Sequence, residues 1–187
     1  MANEQYDLGV AIWDLGGPDE LVIGTVDIPT KGGMTAVLEE TFWRPTYDQT
    51  GETAVDVIKT GERGEVTVNM GAYNLDVFAK IFPAARKVAD SGDPTKFKVV
   101  FGGKIGESLM QYAKTLTIRP ATLFDENDPD LGDASQDFTF IKAVPRANFN
   151  VTYAPNTERA YPVVFEAIYD RTRDAIAVFG DDSITGS

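Results

Sequence analysis

Residues 35–69 read TAVLEETFWRPTYDQTGETAVDVIKTGERGEVTVN. Two segments with alternating side-chain character, residues 35–43 and 63–69, flank an insert rich in Asp, Glu, Thr and Gly. This alternation predicts two half-buried β-strands. The connection between them, residues 44–62, is much longer than the ~2–5 residues of an ordinary hairpin loop. A connection of this length that also carries apolar residues favours a functional segment over a solvated linker.

The start of the connection has the composition of a binding surface. Trp43, Arg44 and Tyr47 lie close together there, and Trp, Tyr and Arg are enriched among the residues that anchor protein interfaces. Two interpretations are open at this point. Either these side chains fold back over the core of their own chain, or the insert protrudes and a neighbouring subunit buries them, since exposed apolar patches usually mark contacts.

The rest of the chain predicts a mainly β fold, a β-sandwich or partial barrel with one helix. A single helix is expected over residues 74–82, where Asn74 can cap the first turn, Leu75, Phe78 and Phe82 form one apolar stripe, and Pro83 ends it. Further strands are expected at residues 6–14, 21–27, 96–101, 112–119, 138–144, 148–153, 161–169 and 175–179. Residues 105–112 are ambiguous, and residues 161–169 are apolar on both faces, which indicates a central strand or a subunit interface.

Composition limits the possible functions. The 187 residues are 43% hydrophobic, as expected for one folded domain, residues 1–187. Cysteine and histidine are absent, which excludes disulfides, thiolate catalysis and Cys/His metal sites. The net charge of −12 argues against a DNA-binding module, which would need clustered Lys and Arg. No apolar run of membrane-spanning length and no secretory signal is visible, so synthesis in the cytoplasm is the default expectation.

Three motifs that suggest chemistry have simpler interpretations. The sequence GGKIG at residues 102–106 lacks the spacing of a phosphate-binding loop and is expected to be a turn. The acidic stretch at residues 125–137 lacks the ligand spacing of a calcium loop, so a solvated loop is expected and only incidental metal binding stays open. The carboxylates of the long connection show no partnered acid and base. We therefore expect no enzyme activity, no catalytic residue, no metal and no cofactor.

The pattern DQTGE at residues 48–52, followed by Val55–Asp56 and by TGE at residues 60–62, resembles the tail tube proteins of long-tailed bacteriophages. The resemblance extends over about residues 6–180, with the opening DLGV at residues 7–10 and the run at residues 163–170. It implies a structural virion protein of the tail, formed in the host bacterial cytoplasm. Its rings, commonly hexamers, would stack into the tube through which DNA is ejected. In such a subunit residues 44–62 form a long protruding loop, residues 1–5 an N-terminal arm and residues 181–187 a C-terminal tail whose order is open.

The resemblance also implies sites and partners. The expected contact between subunits and stacked rings consists of Trp43, Arg44, Tyr47, Asp48, Glu52, Val55, Asp56 and Ile58. The expected lumen-facing residues, on the polar faces of the two flanking strands, are Glu39, Thr41, Glu65, Thr67 and Asn69. The implied partners are further copies of the chain, the tape measure protein, and the tail terminator and distal tail proteins. DNA would pass without specific binding.

Two other functions are compatible with the same pattern. One is the tube protein of a contractile injection or secretion system, which shares the general architecture. The other, from a different class, is a carbohydrate- or receptor-binding β-sandwich module, which would present exposed aromatic side chains in a shallow cleft. Whether the tail contracts and how many subunits form a ring are not contained in the sequence.

Overall fold

A computed structural model describes residues 9–15, 20–25, 28–71, 74–82, 84–102, 105–124, 132–147 and 160–184. Within these residues the fold is mainly β, with antiparallel strands and one α-helix. It is sandwich-like, and its main sheet is not closed into a barrel. The predicted fold class is confirmed. The predicted strand at residues 148–153 and the N-terminal arm at residues 1–5 lie outside the described residues.

The elements follow the sequence pattern closely, with shifted ends. The strands are β1 (Gly9–Asp14), β2 (Glu20–Ile23), β3 (Thr30–Trp43), β4 (Ile58–Met70), β5 (Arg86–Ala89), β6 (Phe97–Val100), β7 (Lys114–Pro120), β8 (Phe138–Arg146), β9 (Tyr161–Ala167) and β10 (Ala177–Phe179). The helix α1 spans Leu75–Ile81. The ambiguous stretch at residues 105–112 ends in a 3-10 turn, Leu109–Tyr112.

The main sheet has the strand order β2-β1-β7-β8-β9-β4-β3, and β10 pairs with β8. Strand β9 lies between β8 and β4, which explains why its residues are apolar on both faces and confirms a central strand. The two ends of this order, β2 and β3, are the edge strands of the sheet. The short strands β5 and β6 form a separate hairpin, of which the sequence predicted only β6.

The core lies on one face of the curved sheet. Trp13 of β1 and Phe165 of β9 are fully buried, and their ring centroids are 4.9 Å apart, although β7 and β8 separate the two strands in the sheet. The curvature therefore folds the sheet over its own apolar side chains. Alternate residues of β4, namely Val66, Val68 and Met70, are 0% exposed and continue this core toward β3.

Helix α1 covers the end of the core where β4 finishes and β9 begins. Asn74 caps it by accepting a hydrogen bond from the backbone N–H of Asp76 at 2.9 Å, as the sequence predicted. Phe78 packs edge-on against Tyr161 at 5.7 Å, and Phe82 packs against Phe101 at 5.4 Å. The helix thus fixes the chain that follows it, β5 and β6, to this end of the sheet.

The C-terminal segment covers the opposite face of β1, β7 and β8. Arg119 of β7 and Asp137 form a buried two-pronged ion pair, with Nε–Oδ1 and Nη2–Oδ2 distances of 2.8 and 2.7 Å. The backbone carbonyl of Asp137 accepts from the N–H of Gly180 at 2.7 Å. This hydrogen bond ties the end of β10 to the sheet, and an Arg173–Asp182 ion pair holds the residues that follow.

Strands β3 and β4 form a hairpin that is longer than predicted. The register runs from Thr30↔Met70 to Trp43↔Ile58, so residues 58–62 belong to β4 and pair with the end of β3. The connection is therefore residues 44–57, not 44–62, and Ile58 is a strand residue. The predicted boundary was wrong because Lys59, Gly61 and Glu62 have weak strand propensity, which the pairing with β3 outweighs.

Candidate functional site

The hairpin of β3 and β4 projects from the rest of the protein, which we call the body, and the projecting part begins at Gly64. This residue is buried, and a Cβ atom added to it would lie 2.4 Å from Cε1 of Phe140 and 2.8 Å from Cβ of Ala167. Only glycine lets the Phe140 ring cover the β4 backbone here. Residues 35–63, which we call the distal hairpin, lie beyond this point and are exposed except for Pro45 and Gly61, which are half-buried.

The distal hairpin exposes an unusual amount of apolar surface. Eight of the fifteen exposed large hydrophobic residues in the described chain lie between positions 37 and 58. The most exposed are Tyr47 at 63%, Trp43 at 58% and Val57 at 55%. Single exposed apolar side chains are normal on a protein surface, but a concentration on one projecting element marks a contact site.

The loop at the tip is internally ordered. Two hydrogen bonds between Thr50 and Tyr47 close a turn. The Thr50 hydroxyl accepts from the Tyr47 N–H at 3.1 Å and donates to the Tyr47 carbonyl at 3.0 Å. The N–H of Val55 donates to the Pro45 carbonyl at 3.0 Å, which joins the two sides of the loop. Gly51 adopts a φ of 59°, a left-handed conformation that glycine accepts without strain. Hydrogen bonds within the loop therefore hold the tip in one defined conformation.

Cross-strand contacts stiffen the hairpin below the loop. Lys59 Nζ lies 2.6 Å from a carboxylate oxygen of Glu40 and also contacts Glu62. The hydroxyl of Thr60 donates to the Thr41 carbonyl at 3.1 Å, at the point where the register shifts between Thr41 and Phe42. These contacts hold the two exposed strands together without help from the core.

The structure brings all five predicted lumen-facing residues onto one face. In β4, Glu65, Thr67 and Asn69 alternate with the buried residues. Glu65 pairs with Val37 of β3, and directly paired residues point to the same side of a sheet. Glu39 and Thr41 follow Val37 by two and four residues and therefore lie on that side as well. We call this surface the polar face. Whether it lines a lumen stays a prediction.

The polar face carries a charge pattern that the sequence did not reveal. Glu65 accepts from Arg63 and from Arg146 of β8, both at 2.8 Å, and Arg146 Nε lies 3.1 Å from Glu166. Two arginines therefore alternate with carboxylates across three strands. Arg146 could not be found from the sequence, because its contacts with Glu65 and Glu166 depend on the pairing of β8, β9 and β4. Arg63 lies on the same strand as Glu65, two residues before it.

The predicted contact residues lie together at the end of the distal hairpin, and all are exposed: Trp43, Arg44, Tyr47, Asp48, Glu52, Val55, Asp56 and Ile58. The interpretation in which they fold back over their own core does not agree with the structure. The sequence missed Val37, Leu38 and Phe42, which are 40–44% exposed. Their alternation is typical of any half-buried strand, so it contains no signal that the strand has left the body.

Among the described residues, no group of three or more Asp or Glu residues is placed to hold a metal ion. Of the acidic stretch at residues 125–137, residues 125–131 lie outside the described chain. In the same described portion, no helix combines the length and the apolar character needed to cross a membrane.

Comparison with known proteins adds no family assignment. No protein-family model matches the sequence, and no curated protein matches it. The function must therefore be argued from the distal hairpin, the sheet edges and the polar face.

Proposed function

We propose that this protein is a structural subunit that assembles with copies of itself into a tube of the phage tail tube kind. The observation that carries the proposal is the distal hairpin, which is ordered, protruding and apolar, and which the body of its own chain leaves uncovered. Covering such a surface in a neighbouring subunit removes apolar area from water, the main favourable term in protein association.

The open edges of the sheet support assembly into rings. Strands β2 and β3 end the order of the main sheet on opposite sides, and no other strand of the described chain pairs with the outer side of either one. Exposed edges promote uncontrolled association unless they are protected or closed. Pairing β2 of one copy with β3 of the next would use both edges and continue one sheet around a ring. The same contact repeated by rotation closes when the angle fits.

The polar face supports a role in conduction. Duplex DNA is held mainly by Lys and Arg contacts to phosphate. On this face Arg63 and Arg146 are engaged by Glu65, and Arg146 also lies beside Glu166. Because carboxylates already neutralise these guanidinium groups, a lumen lined by this face would give passing DNA few cations to bind. The lumen would also hold the tape measure protein during assembly.

The assembly is tested with purified protein. We expect the wild type to form rings or tubes at high concentration, seen by electron microscopy and by sedimentation. Trp43→Ala with Tyr47→Ala should abolish elongation and leave a folded subunit, because both side chains are exposed on the distal hairpin. Phe179→Ala is the control, since Phe179 is 77% exposed but lies on the body.

Two results would contradict the proposal. One is a wild type that stays monomeric at every concentration, with or without tail components. The other is a double variant that assembles as readily as the wild type.

The conduction role is tested on assembled tubes. Thr41→Lys with Thr67→Lys adds two cations to the polar face and should make the tubes retain short duplex DNA in a salt-dependent manner. Ser183→Lys with Ile184→Lys adds the same charge to the exposed C-terminal segment and should have a smaller effect. Equal DNA retention by wild-type and Thr41/Thr67 variant tubes would contradict the assignment of this face to the lumen.

A further inference from the structure

An apolar groove of about 340 Å³ lies between α1, the segment after β6 and the end of β8. Phe82, Phe101, Ile105 and Leu109 form its apolar lining, with Pro145 on the β8 side. Ile105 is 100% exposed, and Phe101 and Leu109 are 41% and 38% exposed. The groove is thus a second concentration of uncovered apolar surface, separate from the distal hairpin.

The groove and the distal hairpin lie at opposite ends of the sheet. Strands β4 and β8 run in the same direction, because each pairs antiparallel with β9, and the groove lies at the C-terminal end of β8. The hairpin leaves the body at the other end, where Gly64 contacts Ala167. Beyond it, Ile58–Arg63 extend β4 by six residues, or roughly 20 Å at about 3.3 Å per residue. Moving one copy along the strand direction therefore brings its hairpin tip toward the groove of the next.

The two surfaces also have opposite charge. The loop at residues 44–57 contains three acidic residues and one arginine, a net charge of −2. Residues 80–114, which include most of the groove, contain seven Lys and Arg against three Asp and Glu, a net charge of +4 in a chain of net charge −12. Arg86 and Lys98 are exposed on the β5–β6 hairpin beside the groove. Complementary charge of this kind orients partners and speeds their encounter.

From this placement we propose that the tip of the distal hairpin docks in the apolar groove of the next copy along the strand direction. Trp43 and Tyr47 supply the apolar contact, while Asp48 and Glu52 face the basic border of the groove. The contact joins two different surfaces of the same chain, so it is heterologous and propagates into a filament. It rests on the proposed self-assembly and identifies the surface that receives the hairpin.

The test uses two variants that should each stop elongation. The groove variant, Ile105→Asp with Leu109→Asp, places charges where the tip would insert. The tip variant is Trp43→Ala with Tyr47→Ala. Both are compared with Phe179→Asp and Ile184→Asp combined, which changes side chains that are 77% and 76% exposed elsewhere on the body. We expect both test variants to raise the concentration needed for elongation at least roughly tenfold, as loss of a central contact does, and the control to elongate normally.

Mixing the two variants isolates the contact. The groove variant retains an intact tip and the tip variant retains an intact groove, so a mixture restores one complete contact per pair of copies. Ring formation through β2 and β3 is intact in both variants, so each variant is assembled into rings separately before mixing. We expect pairs of stacked rings, one ring of each variant, that do not elongate further, detected by native mass spectrometry and sedimentation. Two rings of the same variant should not stack.

The outcomes separate the two proposals. A wild type that never associates overturns the self-assembly itself. A wild type that elongates together with a groove variant that elongates equally well overturns only the groove assignment. A groove variant that elongates normally but fails to bind another tail component also overturns it, because the occupant would then be that component.

Discussion

The two halves of strand β4 differ completely in their surroundings although the same strand continues through both. From Gly64 to Met70, every second residue is buried against β9 and the core. From Ile58 to Arg63, the strand pairs only with β3, and almost every residue is exposed. The first half is stabilised by its own chain. The second half, residues 58–63, is mostly polar, and the exposed apolar side chains of the distal hairpin lie mainly on β3 and on the loop. These uncovered side chains are the reason for proposing that this part of the molecule contacts other copies.

The body should be far more sensitive to substitution than the hairpin. The largest expected effect is at the buried Arg119–Asp137 pair. Asp137→Ala removes the carboxylate that accepts two hydrogen bonds from the buried Arg119 guanidinium and should lower the free energy of unfolding by about 3–5 kcal/mol, measured by chemical denaturation. The control is Asp182→Ala, which breaks the comparable but exposed pair with Arg173 and should cost at most about 1 kcal/mol.

A double variant tests whether the stability lost in Asp137→Ala comes from leaving the buried Arg119 charge without the Asp137 carboxylate. Replacing both partners, Arg119→Met with Asp137→Leu, should recover most of the lost stability, because no buried charge is then left unpaired. Equal losses for Asp137→Ala and Asp182→Ala would show that the Arg119–Asp137 pair is not shielded from water.

A smaller effect is expected where the hairpin leaves the body. Gly64→Ala places a methyl group against Phe140 and Ala167 and should destabilise the protein by about 1–3 kcal/mol through overpacking. Gly61→Ala, three residues along the same strand, meets no atom within 4 Å and should change stability by less than about 0.5 kcal/mol. If the two substitutions behave alike, Gly64 does not mark the end of the body.

The pH dependence of the body gives a further comparison. The backbone N–H of Thr172 and the ammonium of Lys142 lower the pKa of Asp170 below its usual 3.8. The stabilisation is therefore present above that value and is lost as the pH falls through the lower pKa of the folded state. Asp170→Asn should weaken stability at neutral pH and flatten the loss below about pH 3.8. Acid unfolding curves of the same shape for the wild type and the Asp170→Asn variant would contradict this prediction.

The smallest effect on stability is expected at the tip. Trp43→Ala with Tyr47→Ala should change the free energy of unfolding of the monomer by less than about 0.5 kcal/mol, although it removes two of the largest side chains in the chain. Such a small change would show that Trp43 and Tyr47 are not part of the core, since truncating a buried aromatic residue to alanine typically costs about 3–5 kcal/mol. A large loss in dilute monomer would mean that these side chains are covered by their own chain.

The sequence predicted the body better than the hairpin. Alternation identified β3 and the part of β4 that lies in the body, apolar runs identified β1, β7 and β8, and Asn74 together with the stripe of Phe78 and Phe82 identified α1. These signals are local in the sequence. The end of the body at Gly64 depends instead on Phe140, a residue distant in the chain, so no local pattern contains it.

Only part of the candidate site was predicted: the exposed loop was found, and the ion pairs of the polar face and the groove were not. The position of the exposed loop was found because its length and aromatic content are unusual. The ion pair of Glu65 with Arg146 depends on the pairing of three strands, and the groove depends on how the segments after α1 and after β6 pack beside the end of β8. Spacing along the chain does not encode either arrangement, so both became visible only in the folded structure.

The most direct test of the central claim is hydrogen–deuterium exchange on the wild type, in dilute monomer and after assembly. If the distal hairpin is covered by another copy, backbone amides in residues 42–58 should exchange much more slowly in the assembly, while those of β1, β7 and β8 change little. Unchanged exchange of residues 42–58 in assembled protein would contradict the account.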